Sequence, residues 1–172
     1  NSQAFSKLIE FSGNINRAPF LVDGSSNPVT ALTYSTNEDT PLTVCITALD
    51  PNGDPITVSS LTITSGSGSF TLTGGLCFAF TPTGNFSGAV TASVSICDPS
   101  NACAAGTIEI NVSPVNDPPV VTGSPATAEY TTGNLVIDNS LAVSDVDNTQ
   151  ITGATISISN NFIAAEDRLN FT

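Results

Sequence analysis

Carboxylates and carboxamides recur along this chain in short clusters: Glu38 with Asp39, then Asp50, Asn52 and Asp54, then Asp98, then Asn116 with Asp117, then Asp145 and Asp147. Such side chains present oxygen to an ion, and the sequence contains no His to add nitrogen. Calcium suits that donor set, because it takes six to eight oxygens in irregular geometry, whereas zinc and copper favour nitrogen and sulfur. The charge balance agrees: 15 Asp and Glu stand against 3 Lys and Arg, for a formal net charge of −12. That sign repels phosphate backbones and anionic lipid headgroups, so nucleic acid and a polybasic membrane anchor are excluded as partners. Catalysis finds little support. Without His there is no ordinary triad base, no GxSxG motif occurs, Trp is absent, and only Tyr34 and Tyr130 could stack on a sugar. An intramolecular Lys to Asn bond is disfavoured too, since the sole lysine, Lys7, precedes the predicted core.

Strands must position these acids. Leu42, Val44, Ile46 and Ala48 share one parity while Thr43, Cys45 and Thr47 share the other, which predicts a half-buried strand over 42 to 49. Similar runs lie at 56 to 63, 69 to 73, 76 to 81, 89 to 97 and 104 to 112, parted by turn-forming pieces such as Pro51-Asn52-Gly53-Asp54 and Gly74-Gly75. With a first strand near 28 to 36 there are about seven strands in about 100 residues, the size and spacing of an antiparallel β-sandwich. The chain is therefore read as all-β.

Pro114-Val115-Asn116-Asp117-Pro118-Pro119 interrupts this pattern. Its prolines fix φ and remove amide donors, so residues 115 to 118 read as a stiff hinge and 16 to 114 as one module. After it, Leu141-Ala142-Val143-Ser144-Asp145-Val146-Asp147-Asn148 repeats the pattern of Ala48-Leu49-Asp50-Pro51-Asn52-Gly53-Asp54, a strand running into closely spaced acids. A second module accordingly starts near 119, with strands expected at 126 to 131, 135 to 143, 151 to 158 and 168 to 172. Four strands are too few to close two sheets, so this module is expected to be incomplete. Residues 1 to 15 read as a leader or the end of a preceding module. Asn1 is not an initiator, which marks a processed product or a piece of a longer chain, and no apolar run reaches the roughly 20 residues of a membrane span.

Five motifs occur in a telling order: Asn16-Arg17-Ala18-Pro19, Asn37-Glu38-Asp39-Thr40-Pro41, Leu49-Asp50-Pro51-Asn52-Gly53-Asp54, Phe80-Thr81-Pro82-Thr83-Gly84-Asn85-Phe86-Ser87-Gly88 and Val115-Asn116-Asp117-Pro118-Pro119. In that order they resemble bacterial cadherin-like, Ig-like tandem repeats of large surface adhesins, over residues 16 to 119. The cysteine positions resemble variants in surface adhesins of gliding Bacteroidetes, which are exported by type 9 secretion. The resemblance implies a secreted, cell-surface repeat protein that binds calcium between modules and serves adhesion and gliding motility. Neither a full DxNDN linker nor an acidic LDRE segment, both features of vertebrate cadherins, is present.

Four cysteines fit that compartment. Cys45 and Cys77 lie on the outward parity of strands that are neighbours in an Ig-like order, so they can bridge on the sheet surface, while Cys97 and Cys103 bracket the turn between the last two strands. A core-spanning Cys45 to Cys97 bond is disfavoured, because Val90, Ala92, Val94 and Ile96 hold the inward parity. A four-thiolate metal site lacks the CxxC spacing it would need.

Strand direction then groups the acids. The strand at 42 starts at the pole where the strand at 104 to 112 ends, which brings Glu38 and Asp39 toward the hinge with Asn116, Asp117, Asp145 and Asp147. Asp50, Asn52, Asp54 and Asp98 share the opposite pole, with Asn16 entering from the linker. Taken alone, Asp50 to Asp54 is an ordinary turn, and matched placement at successive junctions is what favours calcium. Three functions follow: a calcium-stiffened spacer whose partners are its neighbouring modules, a module that itself binds a surface glycan or protein, and a fibre subunit completed by a donated strand. Short loops poor in aromatics and Arg favour the spacer.

Overall fold

Alternation of apolar and hydroxyl side chains produces strands that bury one face and wet the other. The computed structural model describes residues 15–124, 127, 129, 131, 133–158 and 160–169. Two compact units divide between Val115 and Asn116.

The first unit contains β1 (Phe20–Leu21), β2 (Ala31–Asn37), β3 (Leu42–Cys45), β4 (Ala48–Leu49), β5 (Thr57–Ser65), β6 (Gly68–Gly74), β7 (Cys77–Pro82), β8 (Gly88–Cys97) and β9 (Cys103–Ser113). One sheet has the order β3-β7-β6, the other β2-β9-β8-β5, and β1 pairs with β4 as a short ribbon. Both inner faces feed one core. Phe78 and Phe80 of β7 meet Val90, Ala92, Val94 and Ile96 of β8 and Ile108 and Ile110 of β9, all buried, with Leu42, Val44 and Tyr34 packed against them. The aromatic centre is an edge-on set, Tyr34 to Phe78 at 6.3 Å and Phe70 to Phe78 at 5.3 Å between ring centroids, geometries that aromatic quadrupoles prefer. This is the Ig-like all-β sandwich expected.

Three local expectations are corrected. Residues 42 to 49 are not one strand: the Ile46 amide donates to the Leu76 carbonyl, but Thr47 turns to Val22, whose amide donates to the Thr47 carbonyl at 3.0 Å. The tail of the run, β4, therefore pairs with β1, an element that the sequence reading lacked, while the inward parity persists and Ile46 stays buried. The first long strand starts at Ala31 rather than 28 and pairs in parallel with β9, in register from Ala31 opposite Thr107 to Asn37 opposite Ser113. That pair follows from a crossover: the chain leaves the β4 side after Leu21, closes a turn on Asp23, and re-enters along β9. Gly106 permits the crossing, because a Cβ there would overlap the Leu21 side chain.

The second unit carries β10 (Val120–Thr122) and β11 (Ala142–Ser144), paired antiparallel. β10 was not expected, and of the strand expected over 135 to 143 only Ala142 and Val143 belong to β11. Residues 151 to 158 form no strand, and neither do Arg168 and Leu169. Much of the expected strand at 126 to 131, and the end of the one at 168 to 172, lie outside the described residues. No described residue of this unit is buried, so two three-residue strands do not make a sandwich. Helix is absent among the described residues of either unit.

Candidate metal centre

At the β4 end of the first unit the chain reverses through Asp50-Pro51-Asn52-Gly53-Asp54. Asp50 organises that turn: its Oδ1 accepts from the amides of Asn52 at 2.7 Å and Asp54 at 3.3 Å, and its carbonyl accepts from the Gly53 amide at 3.1 Å. Gly53 sits at φ +80, where a side chain would strain the turn. Asp98, immediately after β8, does the same for the loop into β9. Its Oδ1 accepts from the amides of Ser100 at 2.8 Å and Ala102 at 3.0 Å, while Oδ2 accepts from Asn16 Nδ2 at 2.7 Å. Asx turns explain the local geometry of both segments.

They do not explain why the segments meet. Carboxylate oxygens of Asp50, Asp54 and Asp98 lie within 4.8 Å of one another. Asp98 is only 5 % exposed, and Asp50 Oδ2 is buried without a hydrogen-bond partner. Among the described residues no Lys or Arg pairs with these three. Burial pushes the Asp98 carboxyl up, but the hydrogen bonds from Asn16, Ala102 and Ser100 together outweigh it and hold the group below its ordinary value. The linker closes over the same place, since the Arg17 amide donates to Asn52 Oδ1 at 2.8 Å and Asn52 Nδ2 to the Ile15 carbonyl at 3.2 Å. All five residues read from the sequence for this pole, Asn16, Asn52 and the three Asp, are thus in one neighbourhood.

The other set belongs to two units. In the first, Glu38 is 4 % exposed, its Oε1 accepts from the Val115 amide at 2.5 Å, and its own amide donates to the Ser113 carbonyl at the end of β9. Asp39, at φ 55, accepts from the Asn85 amide at 3.1 Å. In the second, the Asp117 amide donates to Asp147 Oδ2, and Asp145 Oδ1 accepts from the amides of Asp147 and Asn148 at 2.9 Å each. Asn148 Nδ2 reaches Asn116 Oδ1 at 3.3 Å. Asn148 was missing from the candidate ligands, although its place directly after two acids spaced by one residue is a visible signal. Val115 was missed for a better reason, because it acts through its amide, which no residue type reveals.

Disulfides join Cys45 to Cys77 and Cys97 to Cys103, the pairs that strand parity indicates. Cys45 faces Cys77 across β3 and β7, and Cys97 faces Cys103 at the last rung of β8 and β9. Together with the fold they mark an extracellular protein. A shallow cavity of about 290 Å³ in the second unit is lined by Ile156, Ile158, Phe162 and Asp167 among others, and the Asp167 carboxylate accepts from the Ile163 amide.

Solved structures similar to this chain include a nucleoside hydrolase-related hypothetical protein from Saccharophagus degradans, at 19% identity over 56% of this chain and 26% of that one, with a TM-score of 0.45. A protocadherin gamma B4 extracellular domain matches at 17% identity over 78% of this chain and 22% of that one, with a TM-score of 0.43. An endo-fucoidan hydrolase of glycoside hydrolase family 107 matches at 21% identity over 61% and 15%, with a TM-score of 0.41. The chain thus spans about a quarter or less of the length of each. A search of curated proteins found no match. The model of the bacterial Ig domain matches residues 16–111, more than half of the sequence and nearly the whole of the first unit, a fold typical of modules without catalysis. This chain belongs to the bacterial Ig domain family.

Proposed function

We propose that this chain is a non-catalytic spacer segment of a repeat adhesin on the bacterial surface, stiffened by calcium held at its acidic poles. The observation that carries the cation is Asp50 Oδ2, sealed from solvent with no donor, beside Asp54 and Asp98 oxygens within 4.8 Å. Gathered carboxylates without a cationic side chain repel one another, and a hard divalent ion supplies both the charge and the missing partner. Asp50, Asp54 and Asp98 would hold the ion. Asn16 would add a carboxamide oxygen by rotating its amide, which presents oxygen where nitrogen now points toward Asp98, and Asn52 is the further carboxamide assigned to this pole. Glu38 and Asp39 in the first unit, and Asn116, Asp117, Asp145 and Asp147 in the second, are the further donors assigned to calcium. The spacer role rests on these acid-ended strands recurring along the chain, and on loops poor in the Trp, Tyr and Arg that anchor interfaces.

Thermal unfolding with calcium and with chelator tests this. A ligand at 100 times its dissociation constant adds about 2.7 kcal/mol to folded-state stability, so the melt should rise by several degrees, and Asp98→Asn should remove most of the rise. Superimposed curves for the natural protein would overturn the calcium reading. One observation favours a fibre subunit instead: Val121, Val136 and Ile137 in the second unit are each more than 60 % exposed, the apolar surface that a donated strand would cover. Light scattering over a range of protein concentrations separates the two, with a constant monomer mass expected for the spacer and growing oligomers for the fibre.

A further inference from the structure

We propose that the Cys97–Cys103 disulfide is a positioning device for the cation site, setting its affinity by holding the Asp98 loop in register. The inference rests on the calcium reading above. The two cysteines are six residues apart and close the last rung of the β8 and β9 ladder, and Asp98 is the residue that follows Cys97. The bond therefore fixes the backbone from which that carboxylate projects. Within the loop the Asp98 amide donates to the Ala102 carbonyl and the Asn101 amide to the Asp98 carbonyl, both at 3.1 Å, with Asn101 at φ 63. Oδ1 is taken up by the Ser100 and Ala102 amides, so Oδ2 is the oxygen turned toward Asn16. Which way this carboxylate points is thus a property of a loop of one length and one register.

Hairpin ends fray when little apolar contact holds them, and here Pro99, Ser100, Asn101 and Cys103 are all exposed. With the bond cut, repulsion from Asp50 and Asp54 acts on a loop free to yield, and calcium must restore the order that the disulfide otherwise supplies in advance. Cys45–Cys77 is an internal control. It bridges β3 and β7 of the other sheet, and none of the cluster residues adjoins either cysteine in sequence.

Equilibrium dialysis of the full chain against calcium reads the effect on the site that Asp98→Asn abolishes. The double variant C97S/C103S should bind about tenfold more weakly, and C45S/C77S within about twofold of the natural protein. Equal affinity in C97S/C103S and the natural protein, or equal losses in both variants, would overturn the coupling and leave the calcium reading intact. No saturable calcium binding by the natural protein overturns that reading, and the coupling with it. If C97S/C103S does not fold, the reciprocal measurement needs no variant. In a dithiothreitol redox buffer the dithiol passes two electrons and two protons to the bond, yielding two cysteine thiols and its own cyclic disulfide. By linkage, calcium should raise the ratio of disulfide to dithiol for Cys97 and Cys103 by the same factor of about ten, and leave Cys45 and Cys77 unchanged. A ratio for Cys97 and Cys103 that calcium does not move refutes the proposal.

Discussion

Asp residues organise turns in both units, yet among the described residues only those of the first unit surround them with a buried core. In the first, Asp50 and Asp98 fold their loops at the edge of a sandwich whose centre holds Phe78, Phe80, Ile108 and Ile110 out of water. In the second no described residue is buried, and the half-buried ones are Asp117, Asp138, Asp145, Asp167 and Ile158. Asp138 accepts from the amides of Ser124 and Ser140 and from the Ser140 hydroxyl, as tidily as any Asp of the first unit. The comparison separates two kinds of order. Hydrogen bonds that a carboxylate accepts from amides two to four residues away need only local chain, whereas apolar burial needs distant strands to arrive on both sides.

The largest test of that separation is core truncation. Phe78→Ala should cost the first unit about 3 to 5 kcal/mol, while Ile158→Ala in the second should cost within about 0.5 kcal/mol, as a site without a core does. Denaturant titration of the full chain measures both, and a comparable loss at Ile158 would show that the second unit has a core after all. Next come the disulfides. On the chain-entropy model, replacing Cys45 and Cys77 by Ser should cost about 4 kcal/mol and replacing Cys97 and Cys103 about 2, because the first pair closes the longer loop. Equal costs in chemical unfolding would mean that the folded state, and not loop closure, dominates.

The smallest effect is a pH dependence. Asp98 and Asp138 both sit below the ordinary value of 3.8, Asp138 chiefly through its bonds from the Ser140 hydroxyl and amide. A depressed folded value contributes stability that is fully present above the unfolded value near 3.8 and is lost as pH falls through the folded value below it. Asp98→Asn should therefore flatten the decline of the first unit's melt as pH falls below about 4. Asp138→Asn should leave that melt untouched, although in the natural protein the Asp138 carboxyl is expected to titrate below its ordinary value by NMR. An equal response to both substitutions would remove the distinction between a turn at the edge of a core and a turn without one.

Much of the candidate site was legible because its parts are local. Asp50-Pro51-Asn52-Gly53-Asp54 can hardly avoid turning, and its acids then face one way. Cysteine pairing was legible for a related reason: strand parity puts Cys45 and Cys77 outward and Ile46 and Phe78 inward, and the structure has both bonds. The Val115 amide was not, since a backbone donor has no side-chain signature, whereas Asn148 carried a readable one in its place directly after Asp145 and Asp147.

By itself, then, the sequence determined the β-rich class, the inward and outward faces of strands such as those through Leu42 to Ile46, Phe78 to Phe80 and Val90 to Ile96, and the turns built on Asp. Each is set by side-chain periodicity or by residues within a few positions of each other. Tertiary structure alone decided that the run at 42 to 49 breaks so that β4 can meet β1, that β2 lies parallel to β9, that Glu38 is buried, and that Asp50 Oδ2 is left without a donor. All four depend on segments about 20 to 80 residues away, and the free energy of burial belongs to whichever partners the whole fold delivers.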